Sequence, residues 1–242
     1  MKKESLYKFL RLLKGDLFFL YKYGIFFVYA VFIAVYLVAL HYIPAPTDNL
    51  VMKLLVFSDP AAMGLFFMGA VILLEKSQRV NCSIAVSPVT TNIYVISKSL
   101  AFMIAGLAVG IIIALGSGYF LTVQGIIGIA GASILYSMAG LFIASKARSL
   151  NQFIILSLPV EIIISTPAFF YPFEKLTSPI WIIHPGVSAM RLLFNQGNVS
   201  ASSNIVLILL CLTSLAFWNT VVFFLAKSAV NKLFKSLGGG SL

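Results

Sequence analysis

Charge is what this chain has least of. Only 10% of its 242 residues are Asp, Glu, Lys or Arg, where a soluble domain carries about 25%. So few charges cannot cover a globular surface of this size, which excludes an ordinary soluble protein. A disordered chain is excluded too, because disorder needs low hydrophobicity and this chain is 60% hydrophobic. Carboxylates are scarcest, seven in all, and they are scattered rather than paired. A hydrolase built on two acids therefore has no basis. His41 and His184 are the only histidines and read as interface anchors rather than as a base or a ligand. The two cysteines, Cys82 in a basic loop and Cys211 in an apolar segment, show no metal spacing and predict no disulfide. No Gly-Lys pair occurs anywhere, so the phosphate-cradling P-loop is missing. The zincin pattern H-E-x-x-H is missing as well.

What is present is apolar sequence, with a mean hydropathy of +1.02. A spanning helix needs about 20 apolar residues, so roughly six spans and short loops account for the length. The expected fold is an all-α integral membrane protein with six transmembrane helices and an N-terminal amphipathic interfacial helix. No separate soluble domain fits beside them.

Residues 4–17 read as that interfacial helix. Leu6, Phe9, Leu10, Leu13 and Leu17 recur at helical spacing, with Glu4, Lys8, Arg11 and Lys14 on the other face. The spans are expected at 17–42, 56–74, 100–122, 126–144, 153–171 and 204–226. Tyr21, Lys22 and Tyr23 anchor the first. The stretch 172–203 is apolar enough to dip into the bilayer as short helices. Lys227 to Lys235 reads as a basic tail. The final residues 238–242, Gly-Gly-Gly-Ser-Leu, read as a flexible tail or an expression remnant.

The net charge of +10 fits this topology. With both termini in the cytoplasm, fourteen of the seventeen Lys and Arg fall on the cytoplasmic side, leaving Lys53, Lys175 and Arg191 outside. That bias is the positive-inside pattern, and it makes nucleic acid an unnecessary explanation for the charge.

The informative segment is the polar loop 75–99. Ser87-Pro88 offers a helix start, with Ser as the cap and Pro in the first turn. Thr90, Thr91 and Asn92 form a second capping cluster ahead of the third span. The loop is expected to be folded and to serve as a docking surface. Its order is Glu75-Lys76, about ten residues, Val86-Ser87-Pro88-Val89, then Tyr94 and Lys98. This order resembles the loop between the second and third spans of ABC-2 type permeases, of the type V exporter-like fold. The six-span frame, the N-terminal helix, Ala147-Arg148-Ser149 and His184-Pro185 extend the resemblance over the whole chain. Where many members have Arg-Gly-Thr, this chain has Ser77-Gln78-Arg79-Val80-Asn81. Its small size is closer to drug and peptide-toxin exporters than to polysaccharide exporters.

The resemblance implies a multi-pass subunit of the bacterial cytoplasmic membrane that pairs with a second copy of itself. Each copy would dock one ATPase subunit, two per complex, which would bind the ATP and Mg. This chain would then be no enzyme and hold no cofactor or metal of its own. Its cargo would be an amphipathic peptide or drug. Glu75, Lys76, Arg79, Ser87, Pro88, Tyr94 and Lys98 would form the ATPase-coupling loop.

Glu161 lies mid-way along the fifth span, after Pro159. An ionisable group there costs several kcal/mol, on the order of 3, unless paired or wetted. It either lines a substrate path between two subunits or is hydrogen-bonded to Ser157 or Ser165, one turn away. Glycines at 106, 110, 116, 118, 125, 128 and 131 suit close helix packing within one subunit. Two other classes compete with the exporter. A secondary transporter would show internal repeats and several intramembrane charges. A membrane scaffold or immunity protein would need only the docking loop.

Overall fold

The computed structural model describes residues 3–42, 48–58, 63–173, 178–194 and 201–236. It is all-α, with no strand among the described residues. Expectations about residues 43–47, 59–62, 174–177, 195–200 and 237–242, including the side of Lys175 and the Gly-rich tail, lie outside the described residues.

The N-terminal helix α1 runs Lys3–Lys22, beyond the expected end at 17. The residues assigned to the start of the first span, Leu17 to Lys22, belong to α1 instead. Gly24 takes φ +72°, a left-handed conformation that glycine adopts without steric cost. It ends α1 and redirects the chain into α2, Ile25–Tyr42. Lys8 pairs with Glu4 at 2.6 Å, and the Arg11 guanidinium stacks on Tyr7. Arg11 and Lys14 are exposed and Lys8 is half-buried.

Two described helices cover parts of the expected second span. α3 covers Asp48–Ser58 and α4 covers Leu65–Ser77. Val56 to Ser58, expected at the start of that span, are the last turn of α3. α4 has 13 residues, about 20 Å at helical rise, short of the roughly 30 Å hydrocarbon layer.

The polar loop contains the short helix α5, Val80–Ala85. The next helix, α6, runs Thr91–Gly116 and starts nine residues before the expected 100. Thr90, not Ser87-Pro88, is its cap: the Thr90 hydroxyl accepts from the Ile93 amide. Ser87 instead closes the α5 end by donating to the Ile84 carbonyl at 2.7 Å. Tyr94 and Lys98 consequently sit on the first two turns of α6 rather than in the loop.

α7, Val123–Lys146, is capped by Thr122, and α8, Leu150–Phe170, by Ser149. Ser149 accepts from the Gln152 amide while Gln152 Oε1 accepts from the Arg148 amide at 2.8 Å. This reciprocal box compresses the basic connector to a tight turn. After α8, 3-10 turns at Tyr171–Phe173 and Pro179–Ile183 lead to α9, Pro185–Phe194. α9 is buried against α7, α8 and α10. The last helix, α10, runs Ala201–Ser236, so the expected basic tail is a continuation of the final helix.

α7 is the central helix, touching α4, α6, α8, α9 and α10. Small residues permit this. At Gly140 an added Cβ would lie 2.3 Å from the Leu65 carbonyl oxygen, so backbones of α7 and α4 meet there. Gly106 faces Ser133, Gly128 faces Ala189 and Gly131 faces Leu215, all contacts within the chain.

Among the described residues five helices are long and apolar enough to cross a membrane: α2, α6, α7, α8 with its following turn, and α10. The chain therefore has the character of a multi-pass membrane protein. Cys82 and Cys211 are both free.

Candidate functional site

The ends of α1, α4, α6, α7 and α10 that carry most of the basic residues meet at one end of the bundle. There α6 turns Tyr94, Ser97 and Lys98 inward, the i, i+3, i+4 spacing of one helix face. Lys98 is only 2% exposed. Its ammonium pairs with Asp16 of α1 at 2.7 Å and with Glu75 in the last turns of α4. Ser97 donates to the other Asp16 oxygen at 2.5 Å. The Tyr94 hydroxyl donates to Glu75 Oε2 at 2.9 Å and lies 3.3 Å from Asn81 of α5. The rings of Phe19 and Tyr94 flank the ammonium at 5.8 and 5.3 Å. Phe234 of α10 packs edge-on against Tyr94.

One ammonium thus serves two carboxylates, and the two hydroxyls offset the surplus negative charge. Buried ions are held only where such partners replace water. The cluster fastens four elements (α1, α4, α5 and α6) at one point beneath the polar loop.

The remaining loop residues divide by position. Lys76 is half-buried and donates to the carbonyls of Ala144, Ser145 and Ala147 at 2.7, 2.9 and 2.9 Å. It caps the negative end of the α7 dipole. Arg79 and Pro88 are exposed and Ser87 is partly so. Arg79 has φ 55°, a left-handed conformation that costs a non-glycine residue roughly 1 kcal/mol or more. Tyr23 donates to Gln78 at 2.7 Å, binding the α1–α2 junction to the loop. Of the seven expected coupling residues, Glu75, Tyr94 and Lys98 are therefore internal braces, Lys76 is a helix cap, and Arg79, Ser87 and Pro88 are the surface.

Sequence reading missed Asp16, Asn81 and Ser97. Asp16 had a signal: it falls one turn after Leu13 and one turn before Leu20, on the apolar stripe of α1. An acid there needs a buried cation.

Glu161 occupies a second polar site. Tyr136 of α7 and Ser165 lie 2.8 Å apart, and Ser165 donates to Glu161 Oε1 at 2.6 Å. Glu161 Oε2 is buried with no partner among the described residues. Ser157 bonds its own helix at the Ile154 carbonyl, which leaves Ser165 as the serine that engages the acid.

His184 makes a third contact. Its Nε2 donates to the Ile163 carbonyl at 3.1 Å. Pro167, lacking an N–H, leaves that carbonyl without its helical partner. Nδ1 accepts from the Val187 amide. Burial holds the imidazole below its ordinary titration range, partly opposed by the Ile163 bond. At the same end Lys53 is buried between the rings of Tyr119 and Phe194 at 5.1 and 4.6 Å. No group of three or more His, Cys, Asp or Glu among the described residues is placed to hold a metal.

No family model matches the chain, and none of the curated proteins compared with it matches it.

Proposed function

We propose that this chain is the membrane-spanning subunit of an ATP-driven exporter of the ABC-2 type, paired with a second copy of itself and moving an amphipathic peptide or drug. The observation that carries the reading is the Asp16–Glu75–Lys98 cluster. A loop fixed from beneath to α1, α4 and α6 moves as one body with them. A push on its outer face at Arg79, Ser87 and Pro88 is then transmitted to three helices at once. The resemblance of the loop assigns that push to a separate ATPase subunit holding ATP and Mg.

In this reading α3 and α4 together make a sixth span. The basic end faces the cytoplasm with both termini, in a bacterial cytoplasmic membrane. Glu161 Oε2 is the open acceptor on the substrate path, suited to a cationic group. A proton-coupled secondary transporter is the second reading, favoured by the Tyr136–Ser165–Glu161 chain alone.

Docking is tested by replacing only Arg79–Pro88 with Gly and Ser, retaining Glu75, Tyr94 and Lys98. Co-purification of a P-loop ATPase subunit co-expressed with this chain is expected to fall at least tenfold. Unchanged association would overturn the docking assignment.

A further inference from the structure

Two adjoining grooves at the basic end share one residue, Phe224 of α10. The first, about 420 Å³, lies between α6, α7 and α10 and is lined by Ile96, Leu100, Ile134, Met138 and Phe223. Ser99, Asn219 and Thr220 also line it, but the surface it exposes is mostly apolar. It opens sideways, where Ile96 and Phe224 are 41% and 58% exposed. The second, about 380 Å³, continues along α10 past Phe224 to Lys227, Lys232 and Lys235, with Ser228 and Asn231 between them. Phe224, Lys227, Asn231 and Lys235 follow one another at helical spacing, so an apolar stripe becomes a basic one over about 16 Å.

The three lysines pair with no carboxylate among the described residues. Four acids are engaged elsewhere: Glu4 with Lys8, Asp16 and Glu75 with Lys98, and Glu161 with Ser165. The site therefore joins a slot of hydrocarbon character to an uncompensated triad of ammonium groups. Its apolar half lies beside the apolar turns of α6, α7 and α10, all three long and apolar enough to cross a membrane.

We propose that this composite groove binds one anionic phospholipid, with an acyl chain between α6, α7 and α10 and its phosphate among Lys227, Lys232 and Lys235. Membrane-proximal lysines attract anionic lipid in general. The groove adds a fixed place for the chain, so one molecule is held rather than a diffuse cloud. The proposal stands whether or not an ATPase docks on the loop.

Native mass spectrometry of the full chain tests it, with equimolar phosphatidylglycerol and phosphatidylcholine supplied in detergent. One phosphatidylglycerol per chain is expected to be retained, at least tenfold over phosphatidylcholine. Lys227→Gln/Lys232→Gln/Lys235→Gln is expected to reduce it to the phosphatidylcholine level. Lys146→Gln/Arg148→Gln, which removes charge at the same end but outside the groove, is expected to keep it. Ile134→Trp, which fills the chain slot and leaves the lysines in place, is expected to lose it. Equal retention of the two lipids, or full retention by the lysine triple variant, overturns the proposal. So does complete displacement by millimolar glycerol phosphate, which would make this a site for soluble phosphate.

Discussion

At Lys98 one ammonium faces two carboxylates inside the protein, and the two sides of that balance respond differently to substitution. Lys98→Met leaves Asp16 and Glu75 buried without a cation. The expected loss is roughly 3–5 kcal/mol, the usual result of stranding one side of a buried pair. Replacing all three groups, as Asp16→Asn/Glu75→Gln/Lys98→Met, removes the stranded charge and is expected to recover most of that loss. Thermal melting in detergent distinguishes the two variants. If single and triple variants melt together, the cluster is not held by charge. The residue scale is also where sequence reading reached least far. Glu75, Tyr94 and Lys98 were legible as a group because they share one stretch of chain. Their inward orientation depends on Asp16, 59 residues before Glu75, and no local pattern announces a contact at that separation.

Among the elements, α9 is docked on α8 through a bond that Pro167 makes available. Pro167 frees the Ile163 carbonyl, and His184, just before Pro185, fills it. Burial holds the folded imidazole below its ordinary range, so the unfolded chain takes up the proton first as pH falls. Stability is therefore fully present above about pH 6.5 and declines as pH drops through that value toward the lower folded titration. Melting temperatures at pH 8 and pH 5 are expected to differ more for the native chain than for His184→Gln. An equal difference in both would show that His184 does not link α9 to pH.

Element boundaries were only partly legible from caps. Thr90 belongs to the capping cluster ahead of the third span, yet α6 starts nine residues before the expected 100. Ser149 caps α8 but was not legible as a cap. Boundaries were less legible still where packing extends a helix. α10 continues through Lys227 to Lys235 because Phe234 rests on Tyr94 and Asn231 bonds Thr91. The helix α3 was not legible: apart from Val56 to Ser58 it lies outside the expected spans, since Asp48, Asn49 and Lys53 interrupt its apolar residues. Gly24 was readable only as a glycine; its left-handed backbone, which separates α1 from α2, belongs to the fold.

Taken whole, the molecule is organised around two unlike ends. The basic end holds the Lys98 cluster, the capped end of α7, the exposed loop surface and the lysine groove of α10. The opposite end is closed by Lys53 and Arg191 against aromatic rings. The sparse charge noted at the outset was legible as a membrane signature. Composition carries no information about which of those cations are internal. Lys98 and Lys53 are buried, while Arg79, Lys232 and Lys235 are exposed. The exporter reading joins these features into one path: a push at Arg79 to Pro88, transfer through Lys98, and movement of the helices around Glu161.

That path is tested most directly by ATP hydrolysis in vesicles containing this chain and a P-loop ATPase subunit that co-purifies with it. The account predicts hydrolysis that rises several-fold with a cationic amphipathic peptide. It predicts that the rise disappears when Arg79–Pro88 is replaced with Gly and Ser, although the chain still folds. Hydrolysis that ignores the peptide, or that responds equally with the replaced loop, would contradict it.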